Sequence, residues 1–270
     1  MVQAPSLRRS AGPVAAWRSV MLVLALGQVV SSVLSRLYGG EFTKADRPGE
    51  PPIVPVGWAF SIWTPVELLC VAYALWALPE RRPDPEVRNR LAVPLSVVFA
   101  GFSCWLVVAE VAPVWGTVAV FAVMICGLAH AMSVALQHRF AIATWRPVPR
   151  GLLWWMLGIY AGWSTIAVWV NLTTAVAGSG APVSGRAGVA GQLAVLAGAT
   201  ATAAVIVRWT RGLLPYALAA GWGLLTAMLG AASAGQPVLA GAAGAGLALV
   251  TGVTAVTRRE RAARAPGPEP

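Results

Sequence analysis

The chain has 270 residues, of which 57% are hydrophobic and only 11% charged. A soluble domain carries roughly 25% charged residues, and with a mean hydropathy of +0.69 the composition excludes an ordinary soluble globular protein. Twenty basic residues against ten acidic give a formal charge of +10; they flank apolar runs and do not gather on one face, which excludes nucleic acid as their target.

A helix needs about 20 mostly apolar residues to cross the hydrocarbon core. That window predicts eight spans, near 17–36, 57–78, 91–110, 113–136, 151–176, 189–209, 213–231 and 237–257. The runs are too long for barrel strands, so the fold class is an all-α integral membrane protein. The first span follows Arg8, Arg9 and Arg18 and ends in Ser31-Ser32-Val33-Leu34-Ser35 without a small-x-small cleavage site, so it is read as a retained anchor. The last two spans are rich in Ala and Gly. There Gly241, Gly244 and Ala245 form a small-residue face suited to close helix packing. The segment from Arg258 to Pro270 reads as a disordered tail. Cys70, Cys104 and Cys126 are odd in number and lie inside apolar runs, which implies no disulfide framework.

With the N-terminus in the cytoplasm, sixteen of the twenty basic residues fall on the inner side, leaving Arg36, Lys44, Arg47 and Arg186 outside. The positive-inside rule then supports eight spans in the cell membrane with both termini cytoplasmic.

Charged groups at membrane depth are costly and are functional candidates. Glu67 lies ten residues after Gly57, near the middle of the second span. A ligand or proton role stands beside a structural one, a neutral carboxyl hydrogen-bonded to a neighbouring helix. Glu110 ends the third span, where a solvated interfacial carboxylate is expected, and His130 in the fourth reads as a structural hydrogen-bonding residue. No His or Cys pair has metal-ligand spacing, so no metal site is expected. Trp17, Trp58, Trp76, Trp115, Trp154, Trp155 and Trp209 fall near span ends, as interfacial anchors do. Trp63, Trp105, Trp163, Trp169 and Trp222 lie deeper. Trp163, Ala167 and Asn171 are spaced i, i+4 and i+8 and share one helix face. A ring, a small residue and an amide in a column could admit a flat molecule and hydrogen-bond its edge.

Two stretches carry a resemblance. Pro55-Val56-Gly57-Trp58-Ala59-Phe60-Ser61-Ile62-Trp63-Thr64-Pro65 resembles the start of the second helix of the TspO/MBR family, the tryptophan-rich sensory or translocator proteins, in its longer bacterial form. Tyr160-Ala161-Gly162-Trp163-Ser164, continuing to Ala167 and Asn171, is similar to that family's Trp-x-x-x-Ala-x-x-x-Asn helix. The likeness covers residues 17–176 as a five-helix core, and residues 177–257 then resemble the three-helix extension of longer members. The sequence departs from the family where Glu67 replaces a Tyr, and where Phe102 and Ser103 precede Trp105 without the usual Asn. The resemblance implies a bundle that binds a tetrapyrrole or sterol in a cavity under the first loop, with Pro48, Pro51, Pro52 and Pro55 stiffening a lid over Trp63 and Trp163. It also implies that some members degrade porphyrin in light.

The candidate ligand site is therefore Trp58, Phe60, Trp63, Glu67, Trp105, Trp163, Ala167 and Asn171. A receptor for a flat apolar ligand ranks first, a proton-coupled transporter using Glu67 second, an enzyme acting on bound tetrapyrrole third and a structural subunit last. No catalytic residue and no resident cofactor are assigned; a porphyrin is the candidate ligand. The partners expected are the bilayer and a small apolar ligand, with a homodimer left open.

Overall fold

The computed structural model describes residues 13–39, 49–111 and 114–264. The expectations for Arg8, Arg9, Lys44, Arg47 and Pro48 lie outside the described residues. Helix α1 runs Pro13–Tyr38, and a 3-10 turn, Gly57–Ile62, leads into α2, Trp63–Ala77. Pro65 lacks an N–H and sits in the first turn of α2, where none is needed. Then follow α3 (Pro85–Val111), α4 (Gly116–Gln137), the short α5 (Arg139–Ala143), α6 (Pro147–Gly178), α7 (Gly185–Trp209), α8 (Leu214–Ser233) and α9 (Pro237–Ala263). Eight of these segments, with the 3-10 turn counted into the second, are long and apolar enough to cross a membrane. Among the described residues there is no strand.

Proline and glycine mark several of the element boundaries. Pro147 and Pro237 each take the first position of a helix, where the ring's fixed φ is already helical. Gly212, at φ +73°, turns the chain between α7 and α8, its N–H donating to the Val207 carbonyl at 2.8 Å.

The structure corrects the sequence reading at three places. Helix α9 continues to Ala263 where a disordered tail was expected from Arg258, because Arg-Arg-Glu-Arg-Ala-Ala consists of strong helix formers. Helix α3 starts at Pro85, six residues before the expected span, and the added turns carry Arg88. A further helix, α5, occupies the loop between the fourth and fifth spans.

Three apolar clusters organise the packing. The largest joins α1, α2, α3, α4 and α6, with Phe99, Phe102, Phe121, Tyr160 and Trp163 at its heart. The second joins α6, through Ile166, to α7, α8 and α9 around Tyr216 and Leu224. Helix α6 is thus the common wall. The third is small and unusual in origin: Ile53, from the segment before the 3-10 turn, packs with Leu196, Ala231, Leu239 and Ala243 of the last three helices. On the outer surface of the bundle, Val23, Leu26, Val30, Leu68, Val107, Val123 and Val205 stand exposed, as side chains in contact with lipid do.

One end of the bundle is closed by two buried arginines. Arg88 donates to the carbonyls of Pro83 (2.9 Å), Pro79 (3.0 Å) and Arg82 (2.8 Å), and also to those of Ala77 and Glu80, so one guanidinium satisfies five carbonyls at the α2–α3 turn. Arg18 of α1 reaches the Ala77 carbonyl at 3.3 Å and pairs with the Glu80 carboxylate. The sequence places both among the basic residues that flank the spans; the fold buries them as structural donors.

Candidate functional site

Helices α2, α3 and α6 bring a group of aromatic rings together. Trp63 and Glu67 are one turn apart on α2, and Trp163 lies on the face of α6 that meets it. The Trp63 ring centroid is 6.2 Å from that of Trp163, at an interplanar angle of 89°. Phe102 lies 4.7 Å, Tyr160 5.6 Å and Trp105 5.9 Å from Trp63. Phe60, on the 3-10 turn, stands perpendicular to Trp163, with centroids 5.6 Å apart at 87°. Edge-to-face geometry of this kind is what the aromatic quadrupole favours. Trp63, Trp105 and Trp163 are all buried. The rings pack on one another, so a planar ligand is admitted only when they part.

The column on α6 connects to this group. Ala167 is buried, and Asn171 donates to its carbonyl at 2.8 Å while accepting from Trp105 Nε1 at 3.4 Å. Asn171 therefore ties α6 to α3 at the rim of the cluster. Buried donors here remain unmatched. Trp63 Nε1 and Trp163 Nε1 have no hydrogen-bond partner among the described residues, and neither does Gln28 Nε2.

Glu67 is buried and faces α1, where the Ser32 hydroxyl donates to its Oε1. Gln28, one turn along α1, accepts from the Tyr160 hydroxyl at 2.9 Å, and Ser31 meets Ser103 of α3 at 3.0 Å. A polar seam thus runs between α1 and the aromatic rings. Gln28, Ser32 and Tyr160 were absent from the sequence-derived site. The signal that could have found Gln28 and Ser32 is the polar stripe Gln28, Ser32 and Arg36 at i, i+4 and i+8 of the first span.

Not every candidate joins the cluster. Trp58 is 55% exposed and pairs with Trp222 of α8 at 5.3 Å, outside the Trp63 group. Trp169 packs across Gly198 of α7. His130 lies on the exposed surface of α4 and Glu110 close to the end of α3, so neither is brought to Glu67. A separate small cleft of about 70 Å³, lined by Leu128, Met132, Thr165, Ile206 and Trp209, lies on the other face of α6. Its lining is apolar, without the convergent polar groups that a specific small-molecule site carries; the aromatic cluster has those groups.

No curated protein and no solved structure matches the chain. A family model described as TSPO-like protein matches residues 16–256, from the first span into the last. The chain belongs to this family, and so to membrane proteins of the sensor and receptor type.

Proposed function

We propose that the chain is a membrane receptor or sensor that binds a flat apolar ligand of the porphyrin class among Phe60, Trp63, Trp105 and Trp163, with Ala167 and Asn171 at the rim. The observation that carries this reading is the pair of buried, unpartnered indole nitrogens of Trp63 and Trp163 on perpendicular rings. A buried donor without an acceptor costs about 1–3 kcal/mol. A ligand whose edge carries acceptors removes that cost, while its apolar faces take the place of the ring contacts that part to admit it.

The test is saturable quenching of tryptophan fluorescence by a porphyrin panel, compared across variants of the purified full chain. Aromatic contacts contribute on the order of 1 kcal/mol beyond burial, so Trp63→Phe and Trp163→Phe should each weaken binding a few-fold up to about tenfold. Trp76→Phe is the control, since Trp76 packs with Tyr73 and Trp145 at the other end of α2. Equal affinities in all three variants would reduce the aromatic cluster to packing.

A proton-coupled transporter is the second reading. It is favoured by one observation, the buried Glu67 carboxylate with Ser32, Gln28 and Tyr160 continuing the polar seam beyond it.

A further inference from the structure

The segment that leads into the aromatic cluster is held from outside the first five spans. Ile53 is almost fully buried among Leu196, Ala231, Leu239 and Ala243, all side chains of α7, α8 and α9. Its backbone N–H donates to Gln192 Oε1 at 3.3 Å, across 139 residues of sequence. Gln192 is itself buried, and its Nε2 donates to the Val183 carbonyl at 2.9 Å, so one amide joins the segment before the 3-10 turn to the α6–α7 connection. Gly230 of α8 is shaped to the same segment: a Cβ there would come within 2.3 Å of the Val54 carbonyl oxygen. The 3-10 turn is held in turn by Trp222 of α8, whose Nε1 donates to the Ala59 carbonyl at 3.1 Å and whose ring meets Trp58. That turn presents Phe60 to Trp163. The anchors are therefore on the last three helices, and what they anchor is the cover of the aromatic cluster.

We propose that α7, α8 and α9 form a latch on this cover, with Gln192 the positioning residue that keeps it shut and Trp222 its second fastening. The latch sets how fast a ligand reaches and leaves the ring cluster. It acts on the closed cover with and without ligand, so it governs both rates and leaves their ratio nearly unchanged. The kinetic part rests on the receptor reading; the fastening of the segment does not.

The experiment uses the full chain in lipid nanodiscs, with Gln192→Met, which keeps length and loses all three side-chain hydrogen bonds, and Trp222→Phe, which keeps a ring and loses the donor. Amide hydrogen exchange of residues 51–60 should speed at least tenfold in Gln192→Met and several-fold in Trp222→Phe. Exchange in α3 and α4 should be unchanged, which separates release of the latch from general loosening. Stopped-flow quenching by protoporphyrin IX should show association and dissociation both faster by fivefold or more in Gln192→Met, with Kd altered less than twofold. Gln192→Asn, which keeps the amide on a shorter stem, should fall between Gln192→Met and the native chain. Unchanged exchange of residues 51–60 in both variants overturns the latch. Faster exchange with unchanged porphyrin rates overturns its control of access. A native chain that binds no porphyrin overturns the receptor reading instead, and the exchange result alone then decides the fastening.

Discussion

Glu67 sits ten residues into its span with the Ser32 hydroxyl on its carboxyl group, and these two facts separate the two functional readings. A carboxyl that only bridges α1 and α2 can be replaced by an amide, since Gln presents an oxygen of the same reach to Ser32. A carboxyl that carries a proton cannot. Glu67→Gln is therefore expected to leave folding and porphyrin affinity nearly intact and to abolish any proton-coupled uptake in reconstituted vesicles. Uptake retained by the Gln variant with the same pH dependence would remove the carrier from the transport reading. Trp63, Glu67 and Trp163 could be singled out from the sequence because a mid-span charge and deep tryptophans are conspicuous in apolar runs. Gln28 and Tyr160 could not be ranked in the same way. Their importance comes from the hydrogen bond between them, and that bond exists only once α1 and α6 are packed together.

The spans themselves were legible because each apolar run is long enough to have no other use in a bilayer. The five-residue α5 was not, since so short a segment has no periodicity to read. Close helix contacts were legible only in kind. The small-residue face expected at Gly241, Gly244 and Ala245 is uneven: a Cβ on Gly244 would meet Met228 Sδ at 3.1 Å, whereas Gly241 has nothing within 4 Å. The tightest α6–α8 approach is at Gly162, where a Cβ would fall 2.3 Å from the Tyr216 carbonyl oxygen and 2.9 Å from Ala219 Cβ. Backbone cannot yield there as a flexible side chain could, so Gly162→Ala must push α6 away from α8. Overpacking of this sort costs about 1–3 kcal/mol, against a gain near 1 kcal/mol in helix propensity. Thermal unfolding in detergent should show Gly162→Ala destabilised, with Gly241→Ala unchanged or slightly stabilised. Equal midpoints for the two would mean that the α6–α8 interface adjusts freely.

Across the whole molecule, the eight spans combine with the charge pattern to give an orientation. Residues 84, 143, 211 and 262 fall at one end of the bundle, beside Arg81, Arg82, Arg146, Arg150, Arg208 and Arg258, and residue 183 falls at the other. An anionic inner leaflet attracts juxtamembrane basic groups by about 1 kcal/mol each. Arg18 and Arg88 contribute less to that attraction than their number suggests, because they are spent on Glu80 and on the α2–α3 carbonyls. The exposed arginines that remain at that end favour the cytoplasmic side for it, while Arg36 and Arg186 are the described basic residues at the opposite end. Reporter fusions after 84, 143, 211 and 262 are accordingly expected to read as cytoplasmic, and fusions after 46 and 183 as exterior. The pair at 46 and 84 is the sharpest comparison, because the second span alone lies between them. A cytoplasmic signal at 46 with an exterior one at 84 would invert the bundle and put the cover of the aromatic cluster, with its latch, on the cytoplasmic face. A ligand of the proposed class would then be drawn from inside the cell.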